Sequence, residues 1–163
     1  MSYEFVEKID VKKLIDMLLS AWADEWVAAY YYTLTAYTVQ GPHAEEIAEL
    51  FLKEAEEEWS KHARMLADRL QDLGVHPPRL FTTIWELSKC KYPEVPEDPF
   101  DIDGWLIAAI KAEECAITTY RELYAFTHGR DPVTEEIVED ILRDEVRHRT
   151  TLVTLLSRDG LKR

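Results

Sequence analysis

The chain has 163 residues, of which 47% are hydrophobic and 31% are charged. This length predicts a single domain spanning residues 1–163, because one domain takes roughly 100 to 200 residues. The composition excludes an intrinsically disordered chain, and the sequence has no run of 18 apolar residues that would span a membrane. The amino terminus lacks the basic and apolar segments of a secretory signal, so we expect a cytoplasmic protein.

The net charge is strongly negative, since 32 acidic residues outnumber 19 basic ones and give a formal charge of −13. A protein this acidic repels a phosphate backbone, and its only basic clusters are the pairs Lys12-Lys13 and Lys162-Arg163. We therefore expect no direct binding to nucleic acid, whereas cations should be attracted.

Clusters of glycine and proline divide the chain into four long segments with helical periodicity. These segments, called A to D in chain order, span residues 11–39, 43–73, 104–126 and 132–157. Segment B ends before Gly74, and Asp131-Pro132 is a typical cap and first-turn pair for segment D. Four amphipathic helices in a chain of this length predict an all-α four-helix bundle.

The connections predict how the segments run. A to B and C to D are short connections, which join antiparallel neighbours. The B to C connection takes about 30 residues, including a predicted short helix over 80–88, and so long a crossover places B and C parallel. No fifth helix is predicted after segment D.

Six polar residues fall inside the apolar arcs of the four predicted helices. They are Glu25 on A, Glu58 and His62 on B, Glu113 on C, and Glu145 and His148 on D. A single buried carboxylate is usually a capped or paired structural residue. Four together, with no lysine or arginine on the same faces, would each cost several kcal/mol if left ionised. Two divalent cations would neutralise them, and this mixture of oxygen and nitrogen ligands suits iron or manganese.

Two of the helices carry glutamate and histidine at nearly the spacing of di-iron bundles, in which two helices each supply a Glu-x-x-His. Glu145-Val146-Arg147-His148 has that spacing. Segment B departs from it, because Trp59 stands three residues before His62 and Glu58 stands four before. A local π-bulge could bring Glu58 and His62 into register. The alternative is a site with one bridging carboxylate missing or weakened.

On these residues the chain resembles the ferritin-like superfamily, and within it the members with a bacterioferritin-type di-iron centre inside each subunit. In those proteins a helix A glutamate precedes a tyrosine by seven residues, as Glu25 precedes Tyr32. Their helix C glutamate is followed by an Arg-Glu pair, as Glu113 is followed by Arg121-Glu122. The sequence from His62-Ala63 to Arg69 also resembles their helix B.

The absent fifth helix and two cysteines narrow the resemblance to archaeal Dps-like proteins known as thioferritins, which form hollow dodecamers. Cys90 and Cys115 lie 25 positions apart in the sequence, like the cysteine pair of that family. Spacing alone does not show that they bond, and two cysteines in a cytosolic chain are most often free and buried. If bonded, they would fasten the crossover to helix C or accept oxidising equivalents near the metal site.

The resemblance implies a ferritin-like four-helix bundle that acts as a ferroxidase and an iron store and protects against oxidative stress. The six inner-face residues would bind two iron ions per subunit, with manganese as the other candidate, and Tyr32 would face them. Glu58 and Glu145 would bridge the two ions, while Glu25 and Glu113 would be terminal ligands. Hydrogen peroxide or dioxygen would oxidise Fe(II), and a dodecameric cage of identical subunits would hold the product. No haem or nucleotide site is expected, since no Gly-rich phosphate loop occurs.

Two other interpretations remain open at this level. The same bundle could be a manganese catalase-like or rubrerythrin-like peroxidase that stores no iron. It could also be a metal-free interaction module whose buried acids are protonated, in which case its stability would rise on acidification. The run Tyr30-Tyr31-Tyr32 and Trp22, Trp26 and Trp59 are expected to pack in the core and at subunit interfaces rather than relay electrons.

Overall fold

The computed structural model describes residues 9–160. This range contains six α-helices and one π-helical turn, joined by loops. For residues 158–160 only the backbone is described, and no strand occurs in the described range. No described helix is long and apolar enough to cross a membrane. The elements are α1 (Val11–Thr38), α2 (Ala44–Glu57), the π turn (Glu58–His62), α3 (Ala63–Asp72), α4 (Phe81–Leu87), α5 (Ile102–Thr127) and α6 (Pro132–Gly160).

Side-chain caps fix where three of the helices begin. Asp10 accepts a hydrogen bond from the Lys13 N–H at 3.0 Å, and Asp101 accepts one from the Gly104 N–H at the same distance. Asp131 accepts one from the Thr134 N–H at 3.2 Å at the start of α6. These bonds satisfy backbone donors that a first helical turn leaves unpaired. The predicted cap at Asp131 is thereby confirmed.

The four long helices of the bundle are α1, the continuous unit α2–π turn–α3, α5 and α6. They match the predicted segments A to D to within a few residues at each end. The crossover between α3 and α5 contains the short helix α4, which packs against α1. No fifth bundle helix follows α6 within the described residues. The prediction of an all-α ferritin-like bundle with a long crossover is confirmed.

Two apolar clusters fill the bundle, and they follow one another along the bundle axis. The first contains Leu14, Leu66, Leu70, Leu123 and Ile141, and the second contains Tyr32, Phe51, Leu106 and Leu152. Along α1 and α6 the first cluster precedes the second, whereas the order is reversed along α2–π turn–α3 and α5. The second and third bundle helices therefore run parallel, as the long crossover requires. On all four helices the predicted ligand positions fall between the two clusters.

One arginine among the described side chains is buried in the bundle, contrary to the expectation that no lysine or arginine falls on the inner faces. Arg69 is only 6% exposed. Its guanidinium lies 2.9 Å from Asp131 Oδ2, and its Nε–H donates to Thr134 Oγ1 at 2.8 Å. Arg69 thus compensates the charge of Asp131, the acid that caps α6. Asp131 lies fourteen positions before Glu145 and is not one of the predicted ligands.

Candidate metal centre

The π turn places Glu58 and His62 on the same inner face. The Ala63 N–H donates to the Glu58 carbonyl five residues earlier, which is the hydrogen bond of a π-helix. The wider turn leaves Trp59 49% exposed, while Glu58 and His62 are 1% and 0% exposed. His62 Nδ1 lies 2.8 Å from Glu58 Oε2. The structure contains the π-bulge that the sequence left open, and the bulge turns Trp59 outward.

The six predicted site residues meet in one buried cluster between the two apolar clusters. None is more than 3% exposed. Their ligand atoms form two overlapping groups, and within each group all of these atoms lie within 4.8 Å of one another. One group is Glu25, Glu58, His62 and Glu145, and the other is Glu58, Glu113, Glu145 and His148. Glu58 and Glu145 therefore belong to both groups.

Four buried atoms of this cluster make no hydrogen bond of good geometry: Glu58 Oε1, Glu113 Oε2, Glu145 Oε1 and His148 Nδ1. His148 Nδ1 lies 3.2 Å from Glu58 Oε1, and Glu145 Oε1 lies 3.0 Å from His62 Nδ1, so these atoms contact only other members of the cluster. Among the described residues, the only ion-pair partners of the four glutamates are the two histidines of the cluster. Buried polar groups are normally satisfied, and unpaired buried carboxylates are costly. Their oxygen and nitrogen donors fit a pair of divalent cations of the iron or manganese type.

The carboxyl groups of the cluster have a high affinity for protons. Burial raises the pKa of Glu113 well above its usual range, and the charges of Glu145 and Glu58 raise it further. Burial and the charge of Glu25 also raise the pKa of Glu58, although hydrogen bonds with both histidines oppose this shift. Protons and metal cations therefore compete for the same oxygen atoms.

The histidines respond to the same charges in the opposite sense. Burial alone would lower the pKa of His148, but the hydrogen bond and negative charge of Glu58 outweigh it and raise the pKa to about 9. Burial likewise opposes protonation of His62, yet its contacts with Glu145, Glu25 and Glu58 raise its pKa. A cation in place of these protons would neutralise the same carboxylates.

Each histidine is held from its outer side by a carboxylate of the opposite helix. The Nε2–H of His62 donates to Asp144 Oδ2 at 3.1 Å, and the Nε2–H of His148 donates to Glu57 Oε2 at 3.1 Å. Metal-binding histidines usually donate their second N–H in this way, which fixes the ring and its tautomer. Nδ1 of both rings is thereby directed to the cluster.

Two basic side chains close a ring of ion pairs around these outer carboxylates. Lys61 pairs with Asp144, and its Nζ lies 3.5 Å from Glu57 Oε1. Arg147 lies 2.8 Å from Glu57 and 3.0 Å from Asp144. Burial alone would raise the pKa of Asp144, but Lys61 and His62 outweigh it and hold the pKa at about 2. The outer carboxylates thus stay ionised and fully compensated, unlike the inner ones.

Two tyrosines donate hydrogen bonds to the two carboxylates that belong to only one group of four each. The Tyr32 hydroxyl donates to Glu113 Oε1, so this side chain faces the carboxylate cluster. The Tyr120 hydroxyl donates to Glu25 Oε1. The sequence analysis did not select Tyr120, because a helical wheel does not show which hydroxyl meets which carboxylate.

Glu54 is a buried acid that the sequence analysis did not select. It lies one helical turn before Glu58 and is 4% exposed. Burial raises its pKa to about 8, with a further contribution from the charge of Glu58. It belongs to neither group of four, although its Oε2 also lacks a partner.

A disulfide and two hydrogen bonds attach the crossover to the bundle beside the carboxylate cluster. Cys90 and Cys115 form a disulfide with a Cα–Cα distance of 5.7 Å, which joins the crossover to α5 two residues after Glu113. Asp24 Oδ1 accepts hydrogen bonds from the Ser88 hydroxyl at 2.6 Å and from the Cys90 N–H at 2.8 Å. The pairing that the sequence left open is therefore a disulfide, and a buried acid of α1 supports it.

The comparison with protein families agrees with this geometry. Residues 15–161 match the family model of the ferritin-like domain. The chain belongs to the ferritin-like superfamily. Within it, this chain is 34% identical over 149 residues to the DNA protection during starvation protein of Pyrococcus furiosus, covering 91% of this chain and 80% of that protein.

Solved structures place this ferritin-like chain among the Dps-like members. A dodecameric thioferritin, the bacterioferritin-related protein of Bacteroides fragilis, matches with a TM-score of 0.90 and 34% identity over 97% of this chain and 92% of its own. A ferritin-like diiron-carboxylate protein from Bacillus anthracis matches with a TM-score of 0.76 and 26% identity, covering 96% and 99%. The resemblance to Dps-like thioferritins is confirmed.

Proposed function

We propose that this ferritin-like protein is a ferroxidase and an iron store. In this function two Fe(II) ions bind at the six-residue cluster, hydrogen peroxide or dioxygen oxidises them, and the ferric product is kept inside an assembly of identical subunits. The observation that carries the proposal is the set of four buried carboxylates, compensated only by two histidines and arranged in two groups of ligand atoms that share two glutamates. Family membership adds independent support.

The arrangement of the groups suggests a role for each ligand. Glu58 and Glu145 would bridge the two ions, because they alone belong to both groups of four. Glu25 and His62 complete one metal site, and Glu113 and His148 complete the other. Four carboxylates then balance the charge of two divalent ions, which removes the electrostatic cost of burying the acids together.

The chain's own residues bind and orient the substrate ions. Each Fe(II) supplies one electron, so two Fe(II) would reduce one hydrogen peroxide, which takes up two protons and gives two waters and two Fe(III). Asp144 and Glu57 hold the imidazoles with Nδ1 toward the ions. Tyr32 and Tyr120 hold the terminal carboxylates by donating hydrogen bonds. Apolar side chains above and below the cluster exclude bulk water.

Storage requires a closed shell, and a dodecamer is supported by the Bacteroides fragilis thioferritin, which is dodecameric. Consuming Fe(II) and hydrogen peroxide together removes both precursors of hydroxyl radicals. The protein would thereby protect DNA and other cell components from oxidative stress without touching them, in keeping with its net charge of −13.

Anaerobic titration of the metal-free protein with Fe(II), followed by a peroxide pulse, tests this function, with the particle mass measured by light scattering on the same sample. We expect two tightly bound Fe(II) per chain, rapid oxidation and a particle of about twelve chains, as in the dodecameric relative. Absence of tight Fe(II) binding would refute the ferroxidase. Peroxide turnover by a dimer that retains no iron would favour the peroxidase alternative, and a manganese preference would change the metal.

A further inference from the structure

An aromatic pocket lies between α1 and the short crossover helix α4, away from the carboxylate cluster. Its volume is about 340 Å³. Its aromatic walls are Trp26, Tyr30 and Tyr31 on α1, and Phe81 and Trp85 on α4. Pockets of roughly 300 to 1,000 Å³ with apolar and aromatic walls are typical binding sites for small molecules. The size and the walls of this pocket therefore suit a planar aromatic ligand.

A cation stands at the edge of this pocket without an acidic partner. Lys91 is exposed, and its Nζ lies 4.6 Å from the centre of the Trp85 ring. It donates to the carbonyl oxygens of Trp85 and Ser88, so its charge is not paired with a described carboxylate. In a chain with a net charge of −13, an unpaired lysine beside aromatic walls favours a ligand that carries an acidic group.

A chain of ring contacts leads from the pocket to the carboxylate cluster. Tyr31 lines the pocket and stacks on Tyr92 of the crossover, with the ring centres 4.2 Å apart and the planes at 2°. The centre of the Tyr92 ring lies 6.0 Å from that of Tyr32, whose hydroxyl donates to Glu113 Oε1. The sequence favours packing for the tyrosine run, but it does not show this stack with the crossover. A molecule in the pocket is thus joined to a proposed ligand through packed side chains.

We propose that this pocket binds a reduced flavin with an acidic side chain, which returns electrons to Fe(III) at the cluster and releases stored iron as Fe(II). One reduced flavin gives up two electrons and two protons and becomes oxidised flavin, and two Fe(III) become two Fe(II). The flavin rings stack on the aromatic walls, and the acidic group pairs with Lys91. Electrons tunnel through the packed rings without oxidising a tyrosine. The inference rests on the proposed ferroxidase function and adds the reductant that empties the store.

Other aromatic molecules match only part of this site. An adenine nucleotide has rings and a phosphate, but it carries no electrons and would make no use of the path through Tyr31 and Tyr92. A quinone without an acidic group carries electrons but leaves Lys91 unpaired. A flavin with a phosphate group, such as flavin mononucleotide (FMN), combines both properties.

Binding is measured on the metal-free protein in its native assembly, by titration with FMN while the flavin fluorescence is followed. We expect saturable binding of one FMN per chain, with quenching as the flavin stacks on aromatic side chains, and weaker binding of AMP. Phe81→Ala should weaken FMN binding about tenfold, the effect of one lost aromatic contact. Tyr37→Ala is the matched control, because Tyr37 is 77% exposed, close to the 75% of Phe81, and does not line the pocket.

Electron transfer is measured without oxygen on the iron-loaded protein, as the rate at which reduced FMN releases Fe(II) to a chelator. Tyr92→Leu removes the ring between Tyr31 and Tyr32 but leaves the walls of the pocket, so we expect wild-type FMN affinity and a release rate several-fold lower. Tyr92→Phe keeps the ring and should keep the rate. Thermal unfolding and Fe(II) stoichiometry are checked for each variant. Should Tyr92→Leu not fold, the release rate of Phe81→Ala at low FMN concentration should fall in proportion to its affinity.

Other results would overturn the inference. It fails if the wild-type assembly binds no FMN, as it would if a second copy of the chain covered the pocket, or if AMP binds as tightly as FMN. It also fails if Phe81→Ala binds FMN as tightly as Tyr37→Ala does, or if folded Tyr92→Leu releases iron at the wild-type rate. A protein that binds FMN but oxidises no Fe(II) would overturn the ferroxidase proposal itself, a distinct result.

Discussion

Two buried polar clusters lie inside the same bundle, and they differ in how their charges are compensated. At one end, Arg69 pairs with Asp131, and Thr134 supplies further hydrogen bonds. Near the middle, four glutamates face one another with only two histidines among them. The first cluster is complete with the atoms of the chain, whereas the second leaves buried ligand atoms without partners. A buried charge therefore indicates a ligand site when its compensation is missing, and a structural role when it is present.

The largest expected effect comes from removing a shared ligand of the incomplete cluster. Glu58→Gln keeps the size of the side chain but takes away one proposed bridge, so we expect Fe(II) oxidation to slow by roughly a hundredfold or more, beyond the loss typical of residues behind the ligands. The metal-free variant should unfold at the same denaturant concentration as wild type or higher, because one of four mutually repelling buried acids is gone. Two Fe(II) bound at wild-type affinity would exclude Glu58 from the site.

Removing the cation of the complete cluster should destabilise the fold and leave Fe(II) binding unchanged. Arg69→Met leaves Asp131 buried without its cation, and we expect a loss of about 3 to 5 kcal/mol in the free energy of unfolding. Fe(II) stoichiometry of the folded variant should not change, since Arg69 contacts none of the proposed ligands. Urea denaturation and Fe(II) titration of the same preparation measure both quantities. A stable variant that had lost iron binding would reverse the comparison.

Substitutions in the ring of ion pairs behind the histidines should have an effect of intermediate size, which falls on metal affinity. Asp144→Asn weakens the hydrogen bond that orients His62, and we expect metal affinity to fall by about 10- to 100-fold. Glu57→Gln is the matched variant for His148. Calorimetric titration with Co(II) should show that each variant weakens mainly one of two binding events. If both variants weakened both binding events equally, the ion pairs would act through their overall charge and not by orienting the imidazole rings.

The smallest effect is expected from deleting Trp59. The deletion turns the sequence of the π turn into Glu-Ser-Lys-His, the Glu-x-x-His spacing of segment D, so a regular α-helix can present both ligands. We expect two metal ions per chain and an affinity close to wild type. Deleting Lys53 from the regular helix α2 is the control, because it rotates the preceding residues by about 100° and should destabilise the fold. Loss of metal binding on deletion of Trp59 alone would show that the π turn itself is required.

Much of this fold and site could be predicted from sequence because both depend on helical periodicity. Four uninterrupted apolar stripes define the four long helices, and the six inner-face residues follow from the same stripes. Glu58 and His62 stand four residues apart, about 40° on a regular helix, so their shared inner face could be predicted, whereas the π turn between them was only one possibility that the sequence left open. Each of these features depends on residues close together in one helix.

The features that the sequence did not predict depend on contacts between helices. Asp144 and Glu57 lie beside inner-face residues and look like solvated acids on a wheel, yet each reaches a histidine of the opposite helix. Asp24 is buried only because the crossover passes over it. Arg69 is buried because the start of α6 brings Asp131 to it. No local pattern specifies such partners.

The central claim is that metal ions compensate the incomplete cluster, and diffraction at the iron absorption edge tests it most directly. Crystals would be grown without oxygen in the presence of Fe(II), and anomalous peaks would locate the ions. We expect two peaks per chain, both bound by Glu58 and Glu145, with Glu25 and His62 on one and Glu113 and His148 on the other. No peak within the bundle, or peaks only at surface acids, would contradict the claim.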